Sequence, residues 1–153
     1  MKLKKVVTQQ YQTIVNNAAK QLLGIPMPKE GWIRTVRKAL NMSGTQLANK
    51  LGVTRSLISQ TEQAEIIGAI TIKNMQNMAA TMGCRLVYAI VPENKIEEIM
   101  LKQAQKQAHD IVKIVNNQMA LEDQLLSNDN IQFEIDRLTK ELLENPPANF
   151  WDE

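Results

Sequence analysis

The sequence predicts a mainly α-helical protein with one short β-strand, and three observations lead there. Apolar residues recur at helical spacing along most of the 153 residues. One run rich in β-branched and apolar residues, CRLVYAIV at 84–91, breaks that pattern. A net charge of +2 hides a sharp division. Residues 1–92 hold twelve Lys or Arg against three acids, which makes +9, and residues 93–153 hold six against thirteen, which makes −7. The basic part suits a polyanion, and the acidic part is repelled by one and left free to meet protein.

The elements follow in order. Residues 1–28 form an N-terminal helix, with Val7, Tyr11, Ile14, Ala18 and Leu22 in a seven-residue repeat and Gly24, Pro26 and Pro28 to end it. Residues 29–83 form a helical bundle. In it Trp32, Val36 and Leu40 make an inward stripe, and Thr71 caps a helix bearing Ile72, Met75, Met78 and Met82. Those methionines are read as core filler rather than ligands. Residues 84–92 are a strand, preceded by Gly83 and stopped by Pro92. A lone strand leaves its backbone groups unpaired, and no second run of like quality exists. The economical partner is the same strand of a second copy, with Leu86, Tyr88 and Ile90 at the dimer contact; a buried apolar helix end is the alternative.

Residues 93–153 make an acidic helical region. A long helix from about Glu93 to Leu126 carries Ile96, Ile99, Met100, Ala104, Ala108, Ile111, Val115, Met119 and Leu125 or Leu126. After the polar break SNDN at 127–130, Ile131, Ile135, Leu138 and Leu142 repeat at 4-3-4 spacing until Pro146 and Pro147. The tail NFWDE sets Phe150 and Trp151 beside two acids. It fits either a tail folded back on its own core or a docking peptide for a partner.

Within the basic part, residues 43–62, SGTQLANKLGVTRSLISQTE, read as two short helices joined by a tight turn. Ser43 is a good N-cap, Leu47, Ala48 and Leu51 share a face, and Gly52 can take the left-handed conformation that ends a helix. Val53 plugs the turn into the core, and Thr54 caps the second helix. There Ile58 points inward, while Arg55, Ser56, Ser59 and Gln60 point outward, a face equipped to enter a major groove. An arginine can donate two bonds to guanine and a glutamine can pair with adenine. An ordinary helical hairpin with a solvated polar face has the same spacing.

Other function classes find little support. The single cysteine, Cys84, excludes an internal disulfide and fits a reducing compartment. There is no membrane-length apolar run and no signal-peptide core, so a cytoplasmic location is expected. His109, the one histidine, sits beside Asp110 in a helix, and Glu122 and Asp123 are adjacent and so diverge. With no phosphate-binding glycine loop and no metal-ligand spacing, neither enzyme activity, metal nor cofactor is expected.

The stretch from Lys29 to Pro92 carries a resemblance. Residues 30–62 are similar to the phage-repressor type of helix-turn-helix, the Xre family. PKEGWIRTVRKALNMSGTQLA, ISQTEQAE, GAITIKNMQNMAATMGCRLVYAIVP and, more loosely, MALEDQ resemble the bacterial mobile mystery protein A family. The resemblance implies a phage-repressor-like bundle and a DNA-binding regulator; with the long C-terminal helices and the strand read above, the expected function is a repressor that binds double-stranded DNA as a homodimer on an inverted repeat. The resemblance also implies an antitoxin-like pairing with a Fic-domain protein. The alternative function is a protein-interaction antitoxin that restrains a Fic-domain enzyme through its C-terminal helices. The inhibitory (S/T)xxxE(G/N) pattern is not met, because Thr139 stands five residues before Glu144 and Asn145 where four are needed.

By position, the resemblance assigns Thr54 to the DNA backbone, Arg55, Ser56 and Gln60 to base edges and Ser43 to a phosphate; Thr45 and the outward Ser59 are expected among the DNA-binding residues with them. Arg37 and Glu62 match an internal salt bridge and are assigned to structure. Two positions depart from the repressor pattern. Gly44 replaces a frequent glutamine, and Thr61 replaces a larger apolar residue.

Overall fold

The computed structural model describes residues 2–121 and 127–153. The neighbouring carboxylates Glu122 and Asp123, and the last turn expected of the long helix at Leu125 and Leu126, lie outside the described residues. The described residues contain seven helices: α1 (Lys2–Leu22), α2 (Trp32–Ala39), α3 (Gly44–Leu51), α4 (Arg55–Ile66), α5 (Ile72–Thr81), α6 (Ile96–Leu121) and α7 (Asn128–Glu144). No strand occurs among them; residues 84–91 are neither helical nor sheet-paired. The chain divides into two compact units, Gly24–Ala89 and Met1–Leu23 with Ile90–Glu153. Residues 1–23, a separate segment in the sequence reading, therefore share a unit with the acidic helices.

The Gly24–Ala89 unit is built from locally encoded helix ends. Ser43 accepts a hydrogen bond from the Gln46 amide, and the Gln46 side chain accepts one from the Ser43 amide, a reciprocal capping box. Gly52 ends α3 at φ 70°, ψ 32°, a left-handed conformation that costs glycine least. Thr54 caps α4 and Thr71 caps α5 through their hydroxyls. Apolar faces of the four helices then close on a core of Ile33, Leu47, Ala48, Ile58, Met78 and Met82, with Val36, Leu51, Val53 and Met75 against it. The stripe expected on α2 is rotated: Ile33 is buried, and Leu40 is exposed at the helix end. The methionines Met78 and Met82 fill core space, whereas Ile72 faces outward.

In the other unit α6 and α7 form the principal contact. Ala108, Val112 and Ile135 are its buried centre, flanked by Ile131, Leu138 and Leu142. Ser127 caps α7 by accepting from the Asn130 amide. The buried line on α6 runs through Ala104, Ala108 and Val112, while the expected Ile99, Ile111 and Val115 are exposed. Alanine brings backbones close, so α7 settles on that line rather than on the bulkier residues beside it.

The tail folds back. Phe150 is 2% exposed, its carbonyl accepts from Gln103 (2.6 Å) and Gln107 (2.7 Å), and Trp151 meets its ring edge-on at 5.1 Å. Trp151 itself remains exposed. α1 packs on α6 near Ala19, where Asn16 donates to Glu97 and accepts from the Ile96 amide. Val7, Tyr11 and Ile14 of the seven-residue repeat are exposed. The contact with α6 uses a different side of the helix.

Candidate nucleic-acid interface

The surface of interest is laid out by α3, the turn Gly52–Thr54, and α4. Leu47 and Ala48 from α3 and Ile58 from α4 are buried against each other's helices. That contact fixes which side of α4 remains outside: Arg55, Ser56, Ser59 and Gln60 are all exposed. Ser43, Thr45 and Thr54 are exposed as well, on the two N-terminal ends beside the same turn. Twelve residues of α4 extend about 18 Å at 1.5 Å each, long enough to lie along a groove.

Arg37 and Glu62 are brought together and kept away from that face. Arg37 Nε donates to Glu62 Oε1 at 2.6 Å and Nη2 to Oε2 at 3.2 Å, a two-point pairing with both side chains mostly buried. Arg37 Nη1 also donates to the Met42 carbonyl at 2.9 Å. The guanidinium thus ties α2, the loop leading into α3, and the middle of α4. An arginine fork matched to a carboxylate holds orientation better than a single-point contact.

The two departures from the repressor pattern have structural outcomes. At Gly44, the space a side chain would enter lies 3.8 Å from Cγ and 3.9 Å from Nε of Arg55. The stem of Arg55 therefore crosses the start of α3, next to its free first-turn amides. Thr61 is buried, and its hydroxyl donates to the Leu57 carbonyl at 2.7 Å, which satisfies the polar atom within α4. Leu57 is exposed among the polar groups of that helix.

Sequence reasoning missed Glu65. Its carboxylate accepts from the amides of Trp32 (2.6 Å) and Ile33 (2.9 Å) and so caps α2 from 32 or more residues away. Gly31 has φ +83°, and an added Cβ would come within 2.9 Å of the Glu65 carboxylate. Only glycine meets both demands. Gln46 was also missed, although the Ser43-x-x-Gln46 spacing is a readable capping-box signal.

These contacts change the charge of the surface. The Gly24–Ala89 unit has eight Lys or Arg and three acids, a net +5. Every one of the acids is engaged internally: Glu62 with Arg37, Glu65 with the α2 amides, and Glu30 with Lys38. The Lys38 ammonium, hydrogen-bonded to Glu30 and reinforced by Arg34 and Arg37, holds that carboxyl below its ordinary value. With each acid held in a contact inside the unit, its net charge of +5 favours a polyanion.

No curated protein and no solved structure matches the chain. Residues 33–88, which span α2 to α5 and the segment after them, match the helix-turn-helix family model, and this segment is a helix-turn-helix domain of the Xre type.

Proposed function

We propose that the chain is a sequence-specific DNA-binding transcriptional repressor that acts as a homodimer on an inverted repeat. The observation that carries this reading is the outward row Arg55, Ser56, Ser59 and Gln60 on a fully formed helix-turn-helix whose own acids are all engaged. Ser56, Ser59 and Gln60 present short hydrogen-bonding groups to base edges, and Ser43, Thr45 and Thr54 stand at two helix N-termini suited to flanking phosphates.

Dimerisation in this reading runs through residues 84–91. Tyr88 and Ile90 are exposed alternate residues, and Leu86 is partly covered. A copy of the same segment would pair with it as an antiparallel strand and set two α4 helices into successive major grooves roughly 34 Å apart. The pairing with a Fic-domain protein, and an antitoxin-like role, rest on the resemblance of residues 29–92 to mobile mystery protein A.

Fluorescence anisotropy or a gel shift against the DNA upstream of the chain's own gene tests the reading. Arg55→Ala should weaken binding by about 1–3 kcal/mol and relax one base position. No retarded band at low salt would remove the DNA-binding proposal. Co-purification with the product of the adjacent gene tests the Fic-domain pairing separately.

A further inference from the structure

We infer that α1 carries a second self-association surface, an apolar seam that pairs with α1 of another copy. Leu3, Val7, Tyr11 and Ile14 lie between 42% and 78% exposed along one side of the helix. Val7, Tyr11, Ile14 and the half-buried Ala18 follow alternating steps of four and three residues. A stripe of this spacing fits the apolar seam between two helices. The surface is not the reverse of a buried one. α1 meets α6 through Asn16 and the buried Ala19 instead, a third to a half of a turn around the helix.

The groups beside the seam identify which helix fits. Gln10, Asn17 and Gln21 border it, all exposed and uncharged. Amide side chains both donate and accept, so a row of them is complementary to itself across a two-fold axis. Of the four lysines on α1, Lys2, Lys5 and Lys20 lie well around the helix from the seam, and Lys4 alone flanks it. An acidic partner helix would find one cation to meet, and an anionic membrane surface would want lysines on both borders of the apolar face. A second α1 meets neither attraction nor appreciable repulsion there. Complete cover of the exposed seam residues would bury at most about 500 Å² per copy, or about 1,000 Å² for the pair, which is the lower limit of a specific interface.

The inference rests on the homodimer reading but assigns contact to a surface other than residues 84–91. The test is sedimentation or light-scattering mass across a dilution series, on the whole chain and on two variants. Tyr11→Gln with Ile14→Gln should weaken self-association by about thirtyfold or more, with circular dichroism unchanged because both positions are already exposed. Tyr88→Ser with Ile90→Ser addresses the other surface and should leave the α1 contribution in place. A wild-type chain that remains a single copy at every concentration, or an α1 variant that associates as wild type does, overturns the inference. So does wild-type binding to anionic lipid vesicles that the α1 variant loses while its mass is unchanged. DNA binding is read separately on the same samples: loss of mass with a residual salt-sensitive gel shift leaves the DNA reading intact, and absence of any shift leaves the mass result to stand alone.

Discussion

Removing Glu62 should damage the helix-turn-helix before it alters what the domain reads. Glu62→Ala leaves the Arg37 guanidinium with the Met42 carbonyl as its remaining partner, at 2.9 Å. Both side chains of the pair are about nine-tenths buried. Deleting one member of a buried pair costs about 3–5 kcal/mol, because the other charge stays desolvated. The residual exposure and the Met42 bond favour the lower end, about 3 kcal/mol. Residues 24–89 fall in the size range where each kcal/mol moves Tm by about 4–8 °C, so the loss should be about 12–24 °C. Arg37→Met combined with Glu62→Leu removes both charges together and should recover most of that loss, since apolar replacements of a buried pair are often neutral. The assay is thermal melting by circular dichroism, beside DNA affinity measured well below each Tm. Glu62→Ala should keep the wild-type order of preference among DNA sequences. Unchanged melting with lost binding would refute the reasoning and move Glu62 to the DNA contact.

Three further outcomes are expected. Phe150→Ala should destabilise the unit containing α6 and α7 by about 3–5 kcal/mol, seen in urea unfolding, because the ring is almost wholly buried and the tail carbonyls hold Gln103 and Gln107. Gly31→Ala should lower Tm through a positive φ and a close approach to Glu65; an unchanged Tm would mean that Glu65 does not cap α2 as described. The hydrogen bond from Asn16 holds the Glu97 carboxyl below its ordinary value. A lowered folded value means the stabilisation is fully present above the unfolded value of about 4.3 and is lost as pH falls through the folded one. The Tm advantage of wild type over Glu97→Gln should therefore be steady from neutral pH down to about 4.3 and shrink below it. An advantage unchanged at pH 3 would remove Glu97 from the docking of α1.

Much of the candidate interface was legible because its causes are local. Ser43, Gly52, Thr54 and Thr71 act within one helical turn of themselves, and capping chemistry ties residue type to position at that range. The outward side of α4 followed from Ile58 alone once the helix was placed, because successive residues turn by a known angle. Residues 84–91 show the opposite case. Their composition asks for a strand, yet sheet pairing needs a partner, and none lies among the described residues.

The order of residues alone was enough for a basic helix-turn-helix with a polar outward face, an acidic helical region after it, and most of the positions where helices begin and end. Periodicity, caps and charge all act over one or two turns, so they leave a trace in the order of residues. Tertiary structure alone decided that Glu65 caps α2, that Phe150 seats on α6, and that α1 buries its Ala19 side while leaving Val7, Tyr11 and Ile14 outside. Each of those contacts joins residues dozens of positions apart. An apolar stripe announces that a face seeks cover, but which neighbour supplies it depends on the three-dimensional path of the chain.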